Sequence, residues 1–303
     1  MVAAMTTPAF GSGETLSPAV GTATVAALAV GRTAIGADHA GNVWFAGAHD
    51  LVRLEDSKLT ALQFGDGCVF TGIAAGPPGI VYFATSAGLV RFAGGVFTLL
   101  RSDRLAAGVA HLAASATGVV AFTAAERIAI CDGAELRVLV PGGDFPPDLS
   151  ITCVGFDAVD ELVIGAAGAV ALRRDGTWMV IRGLDATSSF APTIDEIASS
   201  PGVVWLASPG GVYEYRGGTF ALHRTERPVV CLCVDDDELW LGMRAGGLGR
   251  LRAGELSVFQ PGGTLLPHED VTDLVRGSDG RIWVLAGGAI AVIREGEIER
   301  LPG

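Results

Sequence analysis

The sequence predicts an all-β fold, a seven-bladed β-propeller of four-stranded antiparallel blades, on three observations. A short apolar motif recurs seven times, its anchors 35 to 43 residues apart. A tight-turn dipeptide follows every anchor at a near-constant distance. No segment sustains apolar spacing of about 3.6 residues over three turns, so no long amphipathic helix competes. Repeats of this length that are apolar on both faces cannot stand alone; packed radially, they bury each face and leave few exposed edges.

The anchors mark the second strand of each blade: "GNVWFAG" around Trp44, "GIVYFAT" around Tyr82, "GVVAFTA" around Ala121, "DELVIGA" around Val163, "GVVWLAS" around Trp205, "DELWLGM" around Trp240 and "GRIWVLA" around Trp283. A short apolar run precedes each one ("TAIGAD", "FTGIAA" and "VAHLAA" in the first three) and supplies the innermost strand. An alternating third strand follows, as in "DLVRLE", "GLVRFA" and "GVYEYR". It ends in Asp56-Ser57, Gly94-Gly95, Asp132-Gly133, Asp175-Gly176, Gly217-Gly218, Ala253-Gly254 or Glu295-Gly296. Two-residue hairpin turns need positive φ, which Gly and Asp tolerate, so these pairs lead into a fourth strand.

This pattern assigns residues 32–303 to the propeller and leaves 1–31 as an N-terminal segment. Within that segment "GETLS" (13–17) resembles the outer-strand segment "GELSV" (254–258). It is expected to lie beside the last blade as a latch that closes the ring.

A net charge of −12 repels polyanions over most of the surface, which excludes nucleic acid and anionic membrane as partners. Lys58 is the only lysine, and no basic stripe exists. The first residues have no basic start and no unbroken apolar core, so neither a secretory signal nor a membrane span is expected, and the location is cytoplasmic. Five cysteines without CxxC spacing are expected as reduced thiols.

Aligning the innermost strands puts one residue per blade at an equivalent place on the central channel: Ala34, Gly72, His111, Cys153, Glu196, Cys231 and Asp273. Histidine, thiol and carboxylate donors suit a transition metal. Opposite walls of such a channel are too far apart for one ion, so only adjacent pairs qualify. The plainer expectation, which the sequence favours, makes the cysteines small fillers and the polar residues a wet channel wall.

A second candidate is the face that carries the loops joining the blades. It is expected to gather His49 and Asp50; Asp144 and Asp148; His223, Arg224, Glu226 and Arg227; and His268, Glu269 and Asp270. Carboxylates beside histidines suit acid–base work or ligand binding. There is no GxSxG, no HExxH and no phosphate loop. "DDDEL" (235–239) lacks the spacing of a calcium loop and is expected as a solvated turn. The anchor tryptophans are expected to pack blades, leaving Trp178 as the one to inspect for exposure.

"LPHEDVTDLVRGSDGRIWVLAGGAIAVIREG" resembles the two-component-regulator propeller repeat, and "AIGADHAGNVWFAGAHDLVRL" (34–54) is similar to repeats of the streptogramin lyase group. The first resemblance implies a sensing domain; the second implies metal-assisted elimination by histidines and a glutamate at the channel mouth. "HED" at 268–270 reverses and closes up the Glu/His spacing of that group.

The residues favour a non-catalytic binding module that presents its loop face to a protein partner or a small-molecule ligand. The alternative is a metal-dependent lyase or hydrolase at the channel mouth, using His111, Glu196, Asp273 and His268. A third reading makes the disk one protomer of an assembly. No cofactor is expected in the first case; a divalent metal belongs to the second.

Overall fold

A computed structural model of the chain describes residues 13–28, 31–65, 68–100, 108–124, 127–132, 135–184, 193–262 and 265–300. They form seven antiparallel sheets, each built around four strands consecutive in sequence. The innermost strands are Arg32–Ala37, Phe70–Ala75, Val109–Ala114, Ile151–Phe156, Glu196–Ser200, Val229–Asp235 and Val271–Arg276. Each packs on the innermost strand of the next blade, and Val271–Arg276 returns to Arg32–Ala37, which closes a seven-bladed propeller.

The hairpin chemistry explains the register. In the turns where both residues are described, both have positive φ, as at Asp56 (46°) and Ser57 (65°). That conformation matches the right-handed twist of the flanking strands. The turn at Asp132-Gly133 runs outside the described residues.

Between blades, apolar side chains from facing sheets make a buried cluster at each seam. Trp44, Tyr82, Ala121, Val163, Trp240 and Trp283 are buried, as expected of packing anchors. Trp44 meets Phe83 and Phe92 of blade two edge-on, with centroids 5.4 and 5.2 Å apart. Its indole N–H donates to Asp38 Oδ2 at 2.8 Å, so burial leaves no polar atom stranded. Blades taper toward the axis, and there Gly36 lies against Ile73 and Gly155 against Ile197 too closely for a Cβ.

The N-terminal segment does not lie beside the last blade. Glu14–Leu16 pairs with Val96–Leu100 of blade two, and Ala19–Thr22 pairs with Lys58–Gln63 of blade one. These two blades are therefore five-stranded rather than four-stranded. The last blade keeps its own outer strand, Glu297–Arg300. The segment still touches the closing seam through Leu28, which is buried among Phe45, Trp283 and Leu285. Ring closure thus rests on side-chain packing, with the Arg32 N–H donating to Gly288 O at 3.2 Å.

Removing residues 1–22 bares the edges of Lys58–Gln63 and Val96–Leu100. Bare edges recruit other strands, so the truncated chain should self-associate in sedimentation velocity runs. A truncated chain that stays monomeric and melts like the full one would mean that these short strands protect nothing. No helix among the described residues is long and apolar enough to cross a membrane.

Candidate functional site

The channel is shaped by a recurring irregularity. Innermost strands slip register between Arg32 and Ala34, Phe70 and Gly72, Val109 and His111, Ile151 and Cys153, Val229 and Cys231, and Val271 and Asp273. A bulge re-aims the side chains around it, and here it falls directly before six of the seven ring residues; Glu196 opens its strand without one. Several bulged residues are threonines that reach the next blade. Thr33 Oγ1 donates to Phe70 O at 2.8 Å and Thr152 Oγ1 to Ile194 O at 2.7 Å.

A cavity of about 460 Å³ runs between these strands, lined among others by His111, Cys153, Asp195, Glu196, Cys231 and Asp273. The structure therefore brings the five predicted ligand-type residues onto one channel. Among the described residues, no three His, Cys, Asp or Glu side chains are arranged so that they could hold a metal ion.

The thiols turn toward their own blades. Cys153 and Cys231 stand opposite Gly165 and Gly242 on the second strands, and each sulfur fills the space that a Cβ there would occupy. Burial first, then the neighbouring carboxylate Glu196, pushes both thiols well above their ordinary range. All five cysteines are buried and outside any disulfide. They should resist a thiol reagent in the native protein and react only on unfolding, as a timed colorimetric assay checks; rapid labelling of the folded chain would contradict this packing.

The carboxylates act as hooks. Glu196 Oε2 accepts the backbone N–H of Leu232, on the next blade, at 2.7 Å. Asp273 Oδ2 accepts that of Ile35 across the closing seam at 2.8 Å, while its Oδ1 accepts from Leu274 at 2.9 Å. Leu232 and Ile35 each follow a ring residue, so both hooks close the same kind of seam. Burial, reinforced by the charge of Asp273, pushes Glu196 up to about 8 against the Leu232 hydrogen bond. Burial also pushes Asp273 up to about 7, opposed by its two backbone donors.

One further titratable residue lines the channel, and the alignment of one residue per blade passes over it. Asp195 precedes Glu196 and carries a carboxyl raised by burial, although Thr193, Arg244 and His111 all favour its charge. Burial in turn holds His111 below the usual imidazole range, with Asp195 opposing. The doublet "DE" in "TIDEIAS" was the available signal for Asp195.

The loop face is divided into corners. In blade one, His49 Nδ1 lies 3.2 Å from Cys68 O, and Asp50 accepts from buried Arg32 at 2.9 Å. At the corner of blades six and seven, His268 Nδ1 accepts the Asp270 N–H at 3.0 Å and Asp270 Oδ1 accepts from Ala245 N at 3.3 Å. Glu269 is exposed there, and its carbonyl accepts from Gly246 and Gly247. Arg224, Glu226 and Arg227 are exposed around the joining loop of blades five and six. Asp144 caps a turn by accepting Val140 N at 2.9 Å and pairs with Arg137; Asp148 stands at positive φ in the same joining segment.

His223 stands apart from this face. It lies in the fourth strand of blade five, Thr219–Arg224, with Nε2 2.9 Å from Glu214 Oε2. Trp178 is partly buried and donates to Asp144 O at 2.8 Å. The acidic stretch forms the expected turn, with Asp235 and Asp236 paired to Arg276. The anchor that departs from expectation is Trp205, which is only partly buried and lines a groove between blades five and six.

The sequence matches no known family profile and no curated protein. Solved structures match the fold. The extracellular domain of a hybrid two component system from B. thetaiotaomicron shares 13% identity at a TM-score of 0.69; the alignment covers 92% of this chain and 40% of that one. Streptogramin B lyase shares 15% at 0.67, covering 92% of this chain and 97% of the lyase. YCF48 from Cyanidioschyzon merolae shares 13% at 0.64, covering 93% and 98%. The chain is a seven-bladed β-propeller similar in fold to a two-component-system extracellular domain and to a streptogramin lyase.

Proposed function

We propose that this chain is a non-catalytic binding module that offers its loop face to a protein partner or small ligand. One observation carries this reading: the channel groups best suited to chemistry, Glu196 and Asp273, are engaged as inter-blade hooks. A rigid ring with exposed polar loops suits recognition, since loops on a fixed scaffold hold most binding residues. The absence of a disulfide among these buried cysteines supports the cytoplasmic location expected from the sequence, although one fold neighbour is an extracellular domain.

A photo-crosslinking residue placed at Glu226 or Glu269 tests this, with Asp56 on the opposite hairpin face as control. Adducts should form from the first two positions in cell extract and persist in Glu196→Gln. Loss of a turnover in Glu196→Gln, with no adduct from either loop, would favour the metal-dependent lyase or hydrolase instead.

A further inference from the structure

The groove beside Trp205 opens on the hairpin face, opposite the loop face, between blades five and six. Its volume is about 700 Å³, and its walls include Trp205, Glu214 and His223 on one side and Asp236, Asp237 and Leu251 on the other.

Cross-strand register explains why Trp205 is open. In blade one, Trp44 stands opposite Arg53, whose guanidinium carbon lies 5.5 Å from the indole centroid. In blade six, Trp240 stands opposite Arg250 at 5.4 Å. The molecule thus builds the same cation–π pair twice, a contact that gains strength when water is excluded. In blade five the register-equivalent partner of Trp205 is Glu214, so no arginine stands there; the imidazole that Glu214 holds, His223, lies tilted with its centroid 6.0 Å from that of the indole. The neighbouring blade leaves the space unfilled as well. Blade two fills the seam over Trp44 with Phe92, whereas the equivalent residue of blade six is the smaller Leu251.

The charge around the groove is net acidic. Glu214 already holds Arg216, through Nε at 2.7 Å, and His223. Glu238 is held by Arg250 and Asp236 leans on Arg276, but Asp237 makes no ion pair with the described residues. The whole chain, at −12, adds a field that attracts cations.

We infer that this groove binds the guanidinium of an arginine borne by a protein partner, stacked on Trp205 and facing Asp237. The groove is wider than one side chain, so residues flanking the arginine fit too. Arginine and tryptophan are also the residues that anchor interfaces. The inference rests on the binding-module reading but concerns a different face.

The test follows the five indole N–H signals of tryptophan-labelled protein by NMR, with Trp205→Leu assigning the relevant one. The probes are acetyl-Gly-Arg-Gly-amide, its citrulline counterpart and methylguanidinium. The arginine peptide should move the Trp205 signal saturably, with the citrulline peptide at least about tenfold weaker, since 1.4 kcal/mol of lost charge recognition is tenfold. Asp237→Asn, an exposed turn change, should weaken the arginine peptide several-fold. Equal binding of citrulline, a static Trp205 signal, or unchanged affinity in Asp237→Asn would overturn the assignment. Methylguanidinium binding as tightly as the peptide would make the ligand a free cation and overturn the protein-borne part. None of these outcomes touches crosslinking from Glu226 or Glu269, so failure here and failure of the binding-module reading are separable.

Discussion

Thermal melts of this protein should give a higher Tm at pH 5 than at pH 8.5, and the difference should shrink in Glu196→Gln/Asp273→Asn. A carboxyl whose folded pKa is raised holds its proton more tightly folded than unfolded. Its contribution is full below the unfolded value and is lost as pH rises through the folded one. For Glu196 that window ends near 8 and for Asp273 near 7. Both displacements run in the same direction, so the pair loses stability across the window. Asp195, also raised, acts in the same direction. His111, held down by burial, opposes it on the acid side of its ordinary value, about 6.5. Glu214 and Glu238 are both held below the usual range: burial works against the charged form of Glu214 but His223 and Arg216 prevail, and Arg250 is the main cause at Glu238. Their stabilisation is lost as pH falls through their folded values, below the window. The amide variants keep an acceptor for Leu232 and Ile35 but cannot ionise, so at pH 8.5 they should melt several degrees above the parent. Parallel pH profiles for parent and variant would show that the channel carboxyls are not buried as described.

Trp240→Ala should be among the most damaging single changes, costing about 3–5 kcal/mol as large-to-small substitutions of buried aromatics do. Trp240 is 1% exposed, faces Phe259 at 5.8 Å and lies under Arg250. Its loss therefore opens a cavity and removes the ring under the Arg250 guanidinium. Trp205→Leu, at the same place in the repeat, should cost about 1 kcal/mol, since the indole is already partly open to the groove. Urea titrations of both variants provide the comparison. Equal costs would mean that Trp205 packs its seam as fully as the others, and the groove would lose its floor.

The blades were legible because their determinants are local. Turn dipeptides such as Asp175-Gly176 and Ala253-Gly254 fix hairpins by backbone chemistry alone, and the alternation between them fixes which residues face a neighbour. The channel ring was legible for the same reason: equivalent positions in a repeat land at equivalent places. What lay beyond the sequence depends on neighbours distant in the chain. "GETLS" looks like any outer strand, and every blade offers an outer edge, so its likeness to 254–258 did not select the edge of Val96–Leu100. The bulges before Cys231 and Ala34 leave no residue signature, and without them the hooks to the adjoining Leu232 and Ile35 could not be foreseen. His223 ends on the groove side because Glu214 draws it there. The exposure of Trp205 is decided by Leu251 on another blade.

The most direct test of the ring as a structural rather than catalytic element is native mass spectrometry of protein purified without chelator, repeated after chelation. If Glu196 and Asp273 serve as hooks, the mass is that of the chain with whatever partner or ligand it retains, and chelation leaves it unchanged. A stoichiometric divalent ion that disappears on chelation, and is absent from His111→Ala, would contradict this and move the metal-dependent enzyme to the front.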